Sequence, residues 1–306
     1  MVLKLLLRIN NPKKLEEREK DREWTKIWQN SLESVEDPRM WFSSWFLNDA
    51  KFEDISLEDA KDFVTWAMYQ NVPESLNDKE LFELNKSISQ IEIFANHKFP
   101  LRGDKKPLIS MRTSLETFKG YHKPLAFYLI TQGLFGKVME KDLKLNGFIS
   151  DTTISPFRYF IKKPMDNDDA FYPIVFIHGV GGLPAYLKLI KSVISKISPK
   201  YPFILVEMPY VSLHVSPTVP SVDDHVEFVR KVLHKNGYSK GIFIGHSWGS
   251  NIVSWLVQSD HSIISTAIFL DPVCFMLQLR GLYYYYYYYY YYYIHIIYRY
   301  YVQLVL

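Results

Sequence analysis

The stretch of this chain best suited to chemistry is Gly245-His246-Ser247-Trp248-Gly249, which follows the apolar run Gly241-Ile242-Phe243-Ile244 without a spacer. Helix-forming residues come next, Asn251-Ile252-Val253-Ser254-Trp255-Leu256. A serine in G-x-S-x-G between a short buried strand and a helix predicts a sharp strand-to-helix turn with the serine at its apex. Gly245 and Gly249 remove the Cβ atoms that would collide in so tight a bend. The hydroxyl of Ser247 then stands clear of the sheet, and the helix N-terminus behind it favours developing negative charge. The chemistry this suits is nucleophilic attack by the serine oxygen through a covalent intermediate.

A second constellation, His178-Gly179-Val180-Gly181-Gly182, follows the apolar run Tyr172-Pro173-Ile174-Val175-Phe176-Ile177. Glycine-rich loops can cradle anions, but no phosphate-loop lysine follows and the dinucleotide spacing is missing, so a nucleotide site is not expected. Cys274 is the only cysteine, which excludes an intramolecular disulfide and a thiolate cluster; beside Val273 and Phe275 it reads as inert core. His225, His234 and His261 stand alone without metal-ligand spacing, and His214, near Pro217 and Pro220, reads as a residue of a solvated loop. No metal or organic cofactor is implied.

These motifs need a frame, and the pattern around them supplies one. Strands are expected at Phe157–Ile161, Ile174–Ile177, Phe203–Val206, Gly241–Ile244 and Thr266–Leu270, with helices over Leu183–Ile197 and Asp223–His234. Apolar runs that do not alternate, separated by amphipathic helices, indicate a mostly parallel sheet covered on both faces. The fold class is therefore α/β, preceded by an α-helical N-terminal region. Three segments are expected: a helical one over 1–150, the α/β region over 151–280, and a tyrosine-rich tail over 281–306. In the first, Ser56 with Asp59 reads as a cap ahead of the stripe Leu57, Ala60, Phe63, Val64, Ala67 and Met68. A second helix should start near Asn77 and carry Leu81, Leu84, Ile88 and Ile91, and a third should follow Pro124. The tail holds an unbroken run from Tyr283 to Tyr293, which no packed element requires and whose β propensity makes it an aggregation hazard.

With both motifs placed, the region from about 157 to 275 resembles the α/β-hydrolase superfamily. It is most similar to eukaryotic members with a helical N-terminal extension. The resemblance implies Ser247 as nucleophile and the backbone amides of Trp248 and Val180 as oxyanion donors. His178, with Gly179, Gly181 and Gly182, would form the oxyanion loop, while Gly245, His246 and Gly249 complete the elbow. It also implies hydrolysis of a small-molecule acyl or lipid ester through a Ser247 acyl-enzyme; family members acting on epoxides or haloalkanes usually carry aspartate at the Ser247 position. In the family the elbow strand is the fifth of eight, and an acid and then a histidine follow the later strands.

Here the recognisable strands stop at the sixth, so the chain reads as C-terminally truncated within this fold. Asp271 ends the sixth strand and is the candidate acid. His295 lies in the tyrosine-rich tail with nothing to aim it, and the base histidine is not identified. A serine without a base is a poor nucleophile, so the chain is expected to be inactive as written, with a non-catalytic binding protein as the alternative. The net charge of +3 over 306 residues argues against nucleic acid as a partner. No run of eighteen apolar residues spans a bilayer, the N-terminus lacks a secretory cleavage pattern, and an intracellular location is favoured. Met40, Trp41, Phe42, Trp45 and Phe46 either pack among the helices or anchor at a lipid interface.

Overall fold

The computed structural model describes residues 24–112, 124–164, 171–212, 214, 216 and 219–275. These fall in two compact units, with the break near residue 121. The tyrosine run and His295 lie outside the described residues, as does the apolar N-terminus.

The first unit is helical: α1 (Trp24–Glu33), α2 (Pro38–Ser43), α3 (Leu57–Tyr69) and α4 (Asp78–Ala95). Its helix starts were written in the sequence. Ser56 and Asp59 form a reciprocal capping box on α3, and Asn77 and Glu80 form one on α4. Each side-chain cap contributes about 1 kcal/mol. Trp41, Phe42, Trp45 and Phe46 are buried, and Phe42 meets Phe63 edge-to-face at 5.5 Å. The aromatic cluster is thus the core of this unit and not a lipid anchor; only Met40 of the group is exposed. Leu81, expected on the buried stripe of α4, is also exposed, while Leu84, Ile88 and Ile91 are buried.

The second unit opens with a continuous helical rod: α5 (Leu125–Tyr128), a π-helical stretch (Leu129–Phe135) and α6 (Gly136–Leu145). The six described strands are β1 (Ile149–Asp151), β2 (Arg158–Lys162), β3 (Ile174–Ile177), β4 (Phe203–Glu207), β5 (Gly241–His246) and β6 (Ile264–Leu270). They form one sheet in the order β1-β2-β4-β3-β5-β6. Strands β4, β3, β5 and β6 are parallel neighbours, and β1 and β2 add an antiparallel edge. Helices α7 (Leu187–Lys196), α8 (Val222–Lys235) and α9 (Gly249–Ser259) supply the crossovers.

Both faces of the central strands are covered, which is why their sequences do not alternate. Ile204, Val206 and Phe243 pack with Val226, Val229 and Ile252 from α8 and α9. Phe203, Leu205 and Phe176 point the other way, toward Met139, Leu143 and Ile190 from α6 and α7. Register then decides the site. Ile177 pairs with Gly245 and His246 with Leu270, so β3, β5 and β6 end side by side along one margin of the sheet. The loop after β3, the turn after β5 and Asp271 after β6 are brought together there.

Candidate active site

Ser247 follows β5 directly and precedes α9 by two residues. Its φ is 51°, in the left-handed region that a non-glycine residue occupies at a cost on the order of 1–3 kcal/mol. The surroundings hold it there. The Ser247 N–H donates to the Leu270 carbonyl at 3.0 Å. The Ser247 carbonyl accepts from the hydroxyl of Ser250 at 2.6 Å, and that hydroxyl accepts from the Val273 N–H at 3.0 Å. The elbow is therefore tied to the chain segment leaving β6 through both its amide and its carbonyl.

Close approach explains the glycines. A Cβ on Gly249 would run into the backbone oxygen of Ile177 and lie 2.8 Å from that of His178. A Cβ on Gly179 would sit 2.8 Å from the Cβ of Ser247, so the glycine loop lies directly against the serine.

Hydrogen bonds fix that loop. The Met208 N–H donates to His178 Nε2 at 3.0 Å, so Nδ1 carries the proton and donates to the Gly179 carbonyl at 2.7 Å. Burial pushes the fully enclosed His178 imidazole down to about 4 and keeps it neutral. The Gly179 N–H donates to the Tyr186 hydroxyl at 2.9 Å, and that hydroxyl shares a hydrogen bond with His246 Nδ1 at 2.8 Å. The Gly181 N–H donates to the Val211 carbonyl at 2.8 Å. Val180 lies between these two engaged amides. Trp248 stands at the N-terminus of α9, and its indole N–H donates to the Tyr210 hydroxyl at 3.1 Å. Tyr210 bonds His225 Nε2 at 2.8 Å, and His225 Nδ1 bonds the Ser221 carbonyl at 2.6 Å. Burial pushes the Tyr210 phenol up to about 12 and lowers the His225 imidazole.

The histidines thus depart from two expectations. His225 is buried within a network that reaches the residue after Ser247, and His214 is half-buried, its imidazole pushed down by that burial. Asp271 is exposed, with φ at 43°, one residue beyond the carbonyl that receives the Ser247 N–H. Burial lowers the His246 imidazole, and the charge of Asp271 opposes that shift. Tyr186, Tyr210 and Ser250 were not predicted, because their roles depend on contacts between segments far apart in the chain. Among the described residues no group of three His, Cys, Asp or Glu side chains is arranged to hold a metal.

A family model described as the alpha/beta hydrolase fold matches residues 172–294. Over that segment the chain has the α/β-hydrolase fold. The chain is also similar in part to solved structures. One is a bacterial membrane phospholipase A, at 14% identity and TM-score 0.36, covering 48% of this chain and 47% of that one. Another is carboxylesterase CesB from Bacillus subtilis, at 17% identity and TM-score 0.34, covering 45% and 49%. The epoxide hydrolase CorEH is similar at 18% identity and TM-score 0.33, covering 41% and 42%. The match therefore spans about half the length of the first of these proteins. No curated protein sequence matches the chain. Within the superfamily the elbow strand is the fifth, and β5 holds that place in chain order here.

Proposed function

We propose that the α/β-hydrolase unit is built for acyl transfer from an ester, with Ser247 as the nucleophile and the acyl-enzyme as intermediate. The observation that carries this reading is the strained backbone of Ser247 at a strand-to-helix turn, with Gly179 pressed against its side chain. Strain of this kind persists only where surrounding contacts over-determine it, and it concentrates at reacting residues. The amides of Trp248 and Val180 are the proposed oxyanion donors. The neighbours of Val180 have already given their amides to Tyr186 and Val211, which holds the loop rigid around it. Losing one such donor costs roughly 3–4 kcal/mol of transition-state stabilisation. The acyl group is that of a small-molecule or lipid ester.

The base for Ser247 is not assigned among the described histidines. His178 and His225 have both ring nitrogens engaged by other groups, and His246 directs Nδ1 to Tyr186. None of these bonds is to Ser247, and Asp271 is the candidate carboxylate to orient a base for its hydroxyl. Without a base, turnover falls about six orders of magnitude below that of a complete triad. Hydrolysis of p-nitrophenyl acyl esters by the full chain, run beside a complete serine hydrolase, tests this. Turnover at background, equal to that of Ser247→Ala, is expected; rapid turnover lost in Ser247→Ala would show that a base is in place. The same hydrogen bonds favour a second reading, a hydrolase-fold protein that binds its ligand without turning it over. Saturable binding of a non-hydrolysable acyl analogue, unchanged in Ser247→Ala, would favour that one.

A further inference from the structure

We propose that the rod from Leu125 to Val138 is a membrane-surface helix that lies in the headgroup layer of an anionic phospholipid bilayer. The twelve residues 125–136 contain no charged side chain. Eleven of them, 125–135, form α5 and the π-helical stretch, and not one is buried. Leu125, Leu129, Leu134 and Val138 are 73, 63, 55 and 54% exposed, and Ile130 is also exposed. Their spacing of four, five and four residues follows a helix that widens in its middle, so the exposed groups stay on one side. Soluble proteins rarely leave so continuous an apolar stripe in water.

The unpaired charges that border the stripe among the described residues have one sign. Lys137, Lys141 and Lys144 are exposed and pair with no acid among the described residues. The two acids of α6 are paired instead: Glu140 binds Arg158, and Asp142 binds Lys191. In sequence, Lys119, His122 and Lys123 lie just before the rod. An apolar face bordered by lysines suits an interface with anionic lipid, which supplies apolar depth and negative headgroups together. This face differs from the buried Trp41–Phe46 cluster of the helical unit and is independent of the chemistry proposed at Ser247.

Flotation of the full chain with vesicles tests it, since aggregates sink while vesicle-bound protein rises. With vesicles of phosphatidylcholine containing about a third phosphatidylserine, the protein should float, at least about fivefold more than with phosphatidylcholine alone. The pair Leu129→Asp and Leu134→Asp should cut the floated fraction about tenfold. The pair Lys137→Glu and Lys141→Glu should abolish the preference for phosphatidylserine, and Ile93→Asp, an exposed apolar position of the other unit, should leave flotation unchanged. If the leucine pair fails to fold, the lysine pair decides the outcome. Absence of flotation with either vesicle, or flotation indifferent to both pairs, would overturn the proposal. So would light scattering showing a dimer that the leucine pair converts to a monomer, because the face would then belong to a second copy.

Discussion

The two units place non-glycine residues in the same left-handed backbone region for opposite reasons. In the helical unit Gln70 and Asn96, at φ of 49° and 46°, close α3 and α4, and their amides bond back into the turns they end. That conformation is an ordinary way to stop a helix. In the hydrolase unit Ser247 and Asp271, at 51° and 43°, follow strands that end at the same margin of the sheet. No helix end explains them. Ser247 is held by bonds to Leu270 and Ser250 and by the glycines packed around it. A shared dihedral angle is therefore local punctuation in one unit and an imposed geometry in the other, and only the second sets the side chain proposed to react.

If that contrast is right, the largest effect comes from crowding the elbow. Gly249→Ala places a methyl against the backbone of Ile177 and His178, which cannot yield as a side chain can. A loss of about 3 kcal/mol or more, or failure of the hydrolase unit to fold, is expected in urea denaturation. The helical unit, with its own core, should melt as before.

Acid should act on the hydrolase unit to a similar extent. His178 titrates near 4 when folded and near its ordinary value, about 6.5, when unfolded. Between those values the unfolded chain takes up the proton and the folded one does not, so stability is full above about 6.5 and falls as pH drops toward 4. The loss approaches about 3 kcal/mol. Denaturation midpoints followed across that range check it, and a flat profile would contradict the buried neutral imidazole.

Cutting the Tyr210 network is expected to cost about 1–3 kcal/mol, because Tyr210→Phe leaves the Trp248 indole N–H and His225 Nε2 without their partner. A loss below about 0.5 kcal/mol would show that water replaces the phenol easily. The smallest effect belongs to the helical unit. Gln70→Gly relieves a left-handed residue that has no role beyond ending α3, and a gain of roughly 0.5 kcal/mol is expected in thermal melting.

Much of this architecture was legible in the sequence because it is set locally. The turn at Ser247, strands β2 to β6, the boxes at Ser56 and Asn77, and the buried Trp41–Phe46 cluster each follow from a few adjacent residues. Strand β1 escaped notice because three residues, Ile149 to Asp151, carry too little pattern to read. Tyr186, Tyr210 and Ser250 escaped for a different reason: nothing in their neighbourhoods announces a partner that only the fold brings near. A helix after Pro124 was expected, but nothing in the sequence says that the apolar residues from Leu125 to Phe135 stand outside a core. Apolar character alone does not decide burial, since apolar side chains outside a core are common on protein surfaces.

The central claim, that the oxygen poised to react is that of Ser247, is tested most directly by fluorophosphonate modification of the full chain read by peptide mass spectrometry. Over long incubation the adduct should accumulate on Ser247 alone, far more slowly than on a complete serine hydrolase, and should be missing from Ser247→Ala. An adduct on another residue, equal modification of Ser247→Ala, or no adduct on Ser247 at all would contradict it.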